Sequence, residues 1–177
     1  LNIDGADLSQ KLLDLVPKGS YRSLEQIDLN KFIEKGEYAS AIDALESISG
    51  ILETSDDKTK ARSMFLYGMI YTNTEDFDKA VESYQVAKEI GGSNPLLDAE
   101  IAKLENAIIT SAIGDQENEN FISSAKKLYG AYRINPDNNQ LYLYYAASSS
   151  VNADDYEQAL IYYKILENIS GLRTVEW

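Results

Sequence analysis

Three pairs of adjacent carboxylates, Asp56/Asp57, Glu75/Asp76 and Asp154/Asp155, come closest to a reactive arrangement in this chain, because paired acids can divide general-acid and general-base work. Histidine and cysteine are both absent. That removes the usual base near neutral pH, imidazole-dependent serine triads, thiol nucleophiles and most transition-metal sites. Each acid pair also stands where a helix is expected to begin, and carboxylates there stabilise unpaired amides and the positive end of the helix dipole. Capping is therefore the role expected of all three. Asn135, Asp137 and Asn139 alternate like the first ligands of a calcium loop, but the glycine and distal glutamate of such a loop are missing, so a turn is expected. Gly91-Gly92 lacks the strand and the lysine of a phosphate loop and is read as a helix stop. No catalytic residue, cofactor or metal is expected.

The elements that hold these residues recur. Lys35-Gly36-Glu37-Tyr38, Asn73-Thr74-Glu75-Asp76-Phe77 and Asn152-Ala153-Asp154-Asp155-Tyr156 each run from a turn through an acid to an aromatic. Alanine follows three residues later, as Ala41, Ala80 and Ala159, and a weaker copy has Phe121 with Ser124. The aromatics lie 39, 44 and 35 residues apart, close to the period of about 34 of a helix–turn–helix repeat.

Helix signals fill the intervals. Ser23-Leu24-Glu25-Gln26 has capping-box spacing and opens a helix ending near Lys35-Gly36, followed by one from Glu37 to Gly50. Ser55, Asp56 and Asp57 start a helix to about Thr72, and its partner runs from Asp76 to Ile90. Asn94 as cap and Pro95 at the first helical position start a helix expected to end near Gly114. The apolar-free stretch Asp115–Asn120 reads as a loop before a helix from Phe121 to Asn135, and two more span Gln140–Val151 and Asp154–Ile169. Residues 1–21 hold a capping helix (Asp7–Val16) or a degenerate half repeat. Residues 22–170 form the array, divided at about 22–55, 56–94, 95–137 and 138–170, and 171–177 are an irregular tail.

Packing follows from residue size. Helices of one hairpin approach closely where small residues face each other, as expected for Gly68 with Ala80 and Ala147 with Ala159. Tyr71 and Phe77 are expected to close the turn end, while Tyr84 with Ala87, and Tyr163 with Leu166, are expected to pack onto the first helix of the following unit or the end of the array. Tyr142, Tyr144 and Tyr145 cannot all be buried on one side of a helix, so at least one is expected to be exposed.

Composition narrows the partners. Asp and Glu number 29 against 16 Lys and Arg, and the net charge of -13 repels phosphate backbones and anionic lipid surfaces. No nucleic acid is expected. No apolar run approaches the roughly 18 residues of a membrane span, so no membrane insertion is expected either. The chain opens at Leu1 without an initiator methionine, as a processed or trimmed chain does, and the array is expected to continue beyond Trp177 because no polar capping helix closes it.

Over residues 22–170 the chain resembles the tetratricopeptide repeat family. Gly68, Tyr71, Ala80, Tyr84 and Ala87 carry the resemblance in the second unit, Phe121, Ala131 and Pro136 in the third, and Ala147, Tyr156, Ala159 and Tyr163 in the fourth. Leu29 and Ser124 depart from the family pattern, in the first and third units. The resemblance implies an all-α, right-handed superhelix (an α–α solenoid) of about four antiparallel hairpins. It also implies a non-catalytic scaffold that binds polypeptide segments in its concave groove. The matched groove positions are Arg62, Phe65, Met69, Thr72 and Asn73, then Leu141, Tyr144, Ser148 and Asn152. The basic set with which one subclass grips a C-terminal carboxylate is not matched, since Gln26, Asn30, Leu66, Leu141 and Tyr145 stand in its places. The acidic surface favours basic or neutral segments. The other function expected is a structural or self-associating module, docking within a longer chain or a homo-oligomer. The run YLYYAASSSVNADDYEQALIYYKIL is similar to exported repeat proteins of Bacteroidetes-type bacteria, which implies a periplasmic location.

Overall fold

The computed structural model describes residue 29 and residues 31–170. The expected capping segment 1–21, most of the helix from Ser23 and the tail 171–177 lie outside them; residues 31–34 are helical. Eight helices follow among the described residues: α1 (Tyr38–Ser47), α2 (Ser49–Glu53), α3 (Asp57–Asn73), α4 (Phe77–Gly91), α5 (Pro95–Glu117), α6 (Phe121–Ile134), α7 (Gln140–Asn152) and α8 (Tyr156–Ser170). No strand occurs among these residues. The protein is all-α, with neighbouring helices packed on one another.

One turn is built four times. Gly36, Glu75, Glu119 and Asp154 all adopt left-handed backbone, with φ of 72°, 60°, 61° and 57°. Each stands two residues before the aromatic that opens the next helix. In each turn the amide between them reaches back five residues: Glu37 N to Phe32 O (2.8 Å), Asp76 N to Tyr71 O (3.0 Å), Asn120 N to Asp115 O (2.7 Å) and Asp155 N to Ser150 O (2.9 Å). The left-handed residue's own amide bonds three residues back in every copy. These bonds satisfy carbonyls that a helix end would otherwise leave unpaired. The residue three after the aromatic is buried each time, as Ala41, Ala80, Ser124 and Ala159. The repeat read from residue types is thus a repeat of backbone conformation.

The chain divides into two compact units, one up to Asp98 and one from Ala99. In the first, Leu29, Ala41, Ala44, Leu45, Leu66 and Ile70 form a core against which Phe32, Tyr38, Phe65 and Met69 lean. α3 and α4 pair as a hairpin, with Phe77, Ala80, Val81, Tyr84 and Ala87 buried along one face of α4. In the second, Ala112 of α5, Ala125, Leu128 and Tyr132 of α6, Leu143, Ala146 and Ala147 of α7, and Tyr162 of α8 share a core. The Tyr129 and Tyr162 rings stack at 5.0 Å and tie α6 to α8.

Three expectations need correction. The helix from Glu37 to Gly50 breaks at Ile48: the Ser47 hydroxyl donates to the Ala44 carbonyl (2.7 Å), and the Ile48 amide bonds Leu45 O instead. α5 does not stop near Gly114 but runs to Glu117, because Asp115 and Gln116 have partners. Lys127 of α6 pairs with Asp115 at 2.6 Å and donates to Ser111, while Gln116 donates to Ser149 of α7 at 2.8 Å. The atoms nearest a Cβ placed on Gly68 belong to the ring of Tyr84. Tyr84 therefore packs inside its own hairpin, also meeting Phe65 of α3 at 6.0 Å, and is not turned toward the following helix.

Candidate functional site

α3 carries the first set of expected groove residues, and its start is fixed by Asp56, whose carboxylate accepts from Thr59 N at 2.8 Å. Beyond that cap, Lys58, Ala61, Arg62 and Phe65 follow at helical spacing and line one side of a cavity of about 550 Å³. Ala87, Ile90 and Gly91 at the end of α4 form a second side, and Asn94, Leu96 and Leu97 at the start of α5 a third. α4 stops here because Gly92 turns left-handed (φ 72°), and a Cβ on Gly91 would stand 2.8 Å from that of Ala61. α5 starts because Asn94 Oδ1 accepts from Leu96 N and Leu97 N, both at 3.1 Å, with Pro95 at the first helical position.

Arg62 and Phe65 thus meet in one cavity, while Met69, Thr72 and Asn73 lie farther along α3. Met69 leans on the core. The Thr72 hydroxyl donates to Gly68 O (2.8 Å) and Asn73 Nδ2 to Met69 O (2.7 Å), so both side chains bond their own helix and Asn73 does not cap α4. About 16 Å of helix separates Arg62 from Asn73 at 1.5 Å per residue.

The second set lies on α7. Leu141 is 57% exposed and Tyr144 50%, and Tyr145 is exposed beside them. Tyr144 meets Tyr145 at 5.9 Å and Tyr163 of α8 at 6.3 Å, both edge-on. Tyr142, by contrast, is half-buried; burial, then the charge and hydrogen bond of Glu105, push its hydroxyl above the ordinary tyrosine value. Two of the three clustered tyrosines are therefore exposed. Ser148 is half-buried, and Asn152 lines an open cavity of about 580 Å³ with Glu119, Phe121, Lys126 and Asp154.

The acid pairs have separate structural roles. Asp155 caps α8 by accepting from Gln158 N (3.1 Å), and Asp154 accepts from the Tyr156 hydroxyl (2.7 Å). Asp76 makes no side-chain cap and pairs with Lys79 at 2.8 Å, so the capping expectation fails there. Asn139 Nδ2 donates to Ala131 O (2.9 Å), which fastens the turn between α6 and α7. No group of three or more acidic residues that could hold a metal occurs among the described residues, and no described helix is long and apolar enough to cross a membrane.

Lys58, Ile90, Asn94, Leu96 and Leu97 are cavity residues that the repeat pattern does not single out. Their signal was present for Lys58, four residues before Arg62 on the same face of α3. The others depend on how α4 ends against α5. The chain matches no protein-family model, and no curated protein matches it.

Proposed function

We propose that the chain is a tetratricopeptide-like right-handed superhelix of about four antiparallel hairpins, acting as a non-catalytic scaffold that holds polypeptide segments along its concave face. The observation that carries this reading is the turn built four times. Identical backbone turns, each followed by a buried small residue, favour successive hairpins of similar geometry, and stacked hairpins leave an extended face for a ligand. Phe65 and the exposed Leu141 and Tyr144 offer apolar area for such a ligand. Tyrosine suits this role because it combines area with a polar tip. Asn73 and Asn152, both exposed, can bond a peptide backbone. The acidic surface favours basic or neutral segments, and a periplasmic location accords with the resemblance of the fourth unit.

A second reading, a self-associating or docking module, draws support from α8, where Tyr156, Leu160 and Ile161 are exposed together. Selection from a displayed random-peptide library on the whole chain separates the two. The groove reading expects selected peptides that lose affinity at least tenfold, about 1.4 kcal/mol, on Phe65→Ala or Tyr144→Ala. Peptides that bind both variants as tightly as the parent would sink it. Concentration-dependent mass in sedimentation, lost on Leu160→Lys, would favour the module.

A further inference from the structure

We infer that the cavity between α3, the end of α4 and the start of α5 is a binding site for a small organic acid, a carboxylate carried on an apolar body. In a chain of net charge -13, the lining holds two cations, Lys58 and Arg62, and no Asp or Glu. They stand four residues apart on α3 and face the same space. Neither is ion-paired among the described residues. Arg62 Nε has no solvent exposure and no hydrogen-bond partner, so a donor with a formal charge is held without the acceptor that burial requires. Asn94 spends its oxygen on the α5 cap, which leaves its amide N–H groups as further donors beside the cavity. Donors therefore gather at one side of the space, with no carboxylate to answer them. Phe65, Ile90 and Leu97 supply apolar wall, and about 550 Å³ lies within the range of small-molecule sites. A guanidinium fork matches a carboxylate in two parallel hydrogen bonds, and the apolar wall takes up the ligand's body.

This site stands within residues 58–97 and does not depend on the superhelix. Failure of peptide selection leaves it intact, and its own failure leaves the groove reading intact.

Calorimetric titration of the whole chain with 3-phenylpropanoate and with N-acetyl-phenylalanine, each beside its primary amide, tests it. An acid is expected to bind with Kd at or below about 1 mM. The amide should bind at least tenfold more weakly, and raising salt from about 0.05 M to about 0.5 M should weaken the acid. Arg62→Gln is expected to lose tenfold or more. Exposed Lys58→Gln should lose several-fold with an unchanged melting temperature, which keeps the test valid if Arg62→Gln unfolds. Equal affinity for the two acids assigns the site to free small acids, and preference for N-acetyl-phenylalanine to the end of a polypeptide. Absence of binding by both acids, amides that bind as well as acids, or undiminished affinity in Lys58→Gln would overturn the assignment.

Discussion

Gly68 and Tyr84 touch across the α3–α4 hairpin so closely that a Cβ on the glycine would lie 2.5 Å from Cε1 of the ring, 2.6 Å from Cδ1 and 2.8 Å from Cζ. The ring cannot retreat, because Tyr84 is fully buried and also meets Phe65. Gly68→Ala gains about 1 kcal/mol of helix propensity. Overpacking against a fixed ring outweighs that gain, with an expected net loss of about 1–3 kcal/mol. The urea midpoint of the single variant reads the loss. Adding Tyr84→Leu should cost less than the two single changes summed, since the smaller side chain leaves room for the methyl. A midpoint at or above that of the parent protein would show that the helices part easily here.

Ser124 occupies the place that alanine holds in the other three turns and is fully buried, with no hydrogen-bond partner for its hydroxyl. An unpaired buried hydroxyl costs about 1–3 kcal/mol. Ser124→Ala removes that cost, restores the repeat and leaves a side chain of almost the same size. The variant is expected to unfold at higher urea concentration, by about 1 kcal/mol in stability. Lower stability would mean that the hydroxyl is bonded in solution.

The position of each of the four left-handed turns was legible in the sequence, because an aromatic and a small residue follow each at fixed offsets. The conformation of the turns was not. Left-handed backbone is usually announced by glycine, and of the four turns only that of Gly36 announces it; Glu75, Glu119 and Asp154 adopt it in turns closed by local backbone hydrogen bonds three and five residues back. The end of α5 was hidden for a related reason. Asp115 and Gln116 look like loop residues until Lys127 and Ser149, supplied by later helices, give them partners. The α3 positions Arg62, Phe65, Met69, Thr72 and Asn73 were singled out by resemblance alone, and of these Arg62 and Phe65 share a cavity. Its remaining walls come from the end of α4, where Gly91 meets Ala61 of α3, and from the start of α5.

Strain at these turns can be released. Glu75 is exposed and left-handed (φ 60°), a conformation that costs a residue with a Cβ roughly 1–2 kcal/mol. Glu75→Gly removes that cost, partly offset by the extra freedom glycine brings to the unfolded chain, and a net gain of about 0.5–1 kcal/mol is expected. Glu119→Gly should behave alike. Gly36→Ala runs the other way, adding a Cβ to a left-handed residue (φ 72°) for a loss of about 1 kcal/mol. Thermal unfolding of the three variants checks the signs, and a loss on Glu75→Gly would show that its side chain contributes more than its backbone costs.

Tyr67 links α3 to the alkaline limit of the fold. Burial first, then the negative charge of Glu46 and the neighbouring Tyr71, push its hydroxyl from 10.0 to about 12. Tyr71 also stacks on it at 6.0 Å. The raised value means that the folded state prefers the neutral phenol. Its contribution is complete below pH 10, where the unfolded chain also holds the proton, and declines as pH rises toward 12. Tyr67→Phe keeps the ring and removes the proton. The stability difference between parent and variant, followed by urea titration at stepped pH, should be constant up to about pH 10 and then change in the variant's favour. A difference that stays flat across this interval would mean that Tyr67 ionises as readily in the folded chain as in the unfolded one.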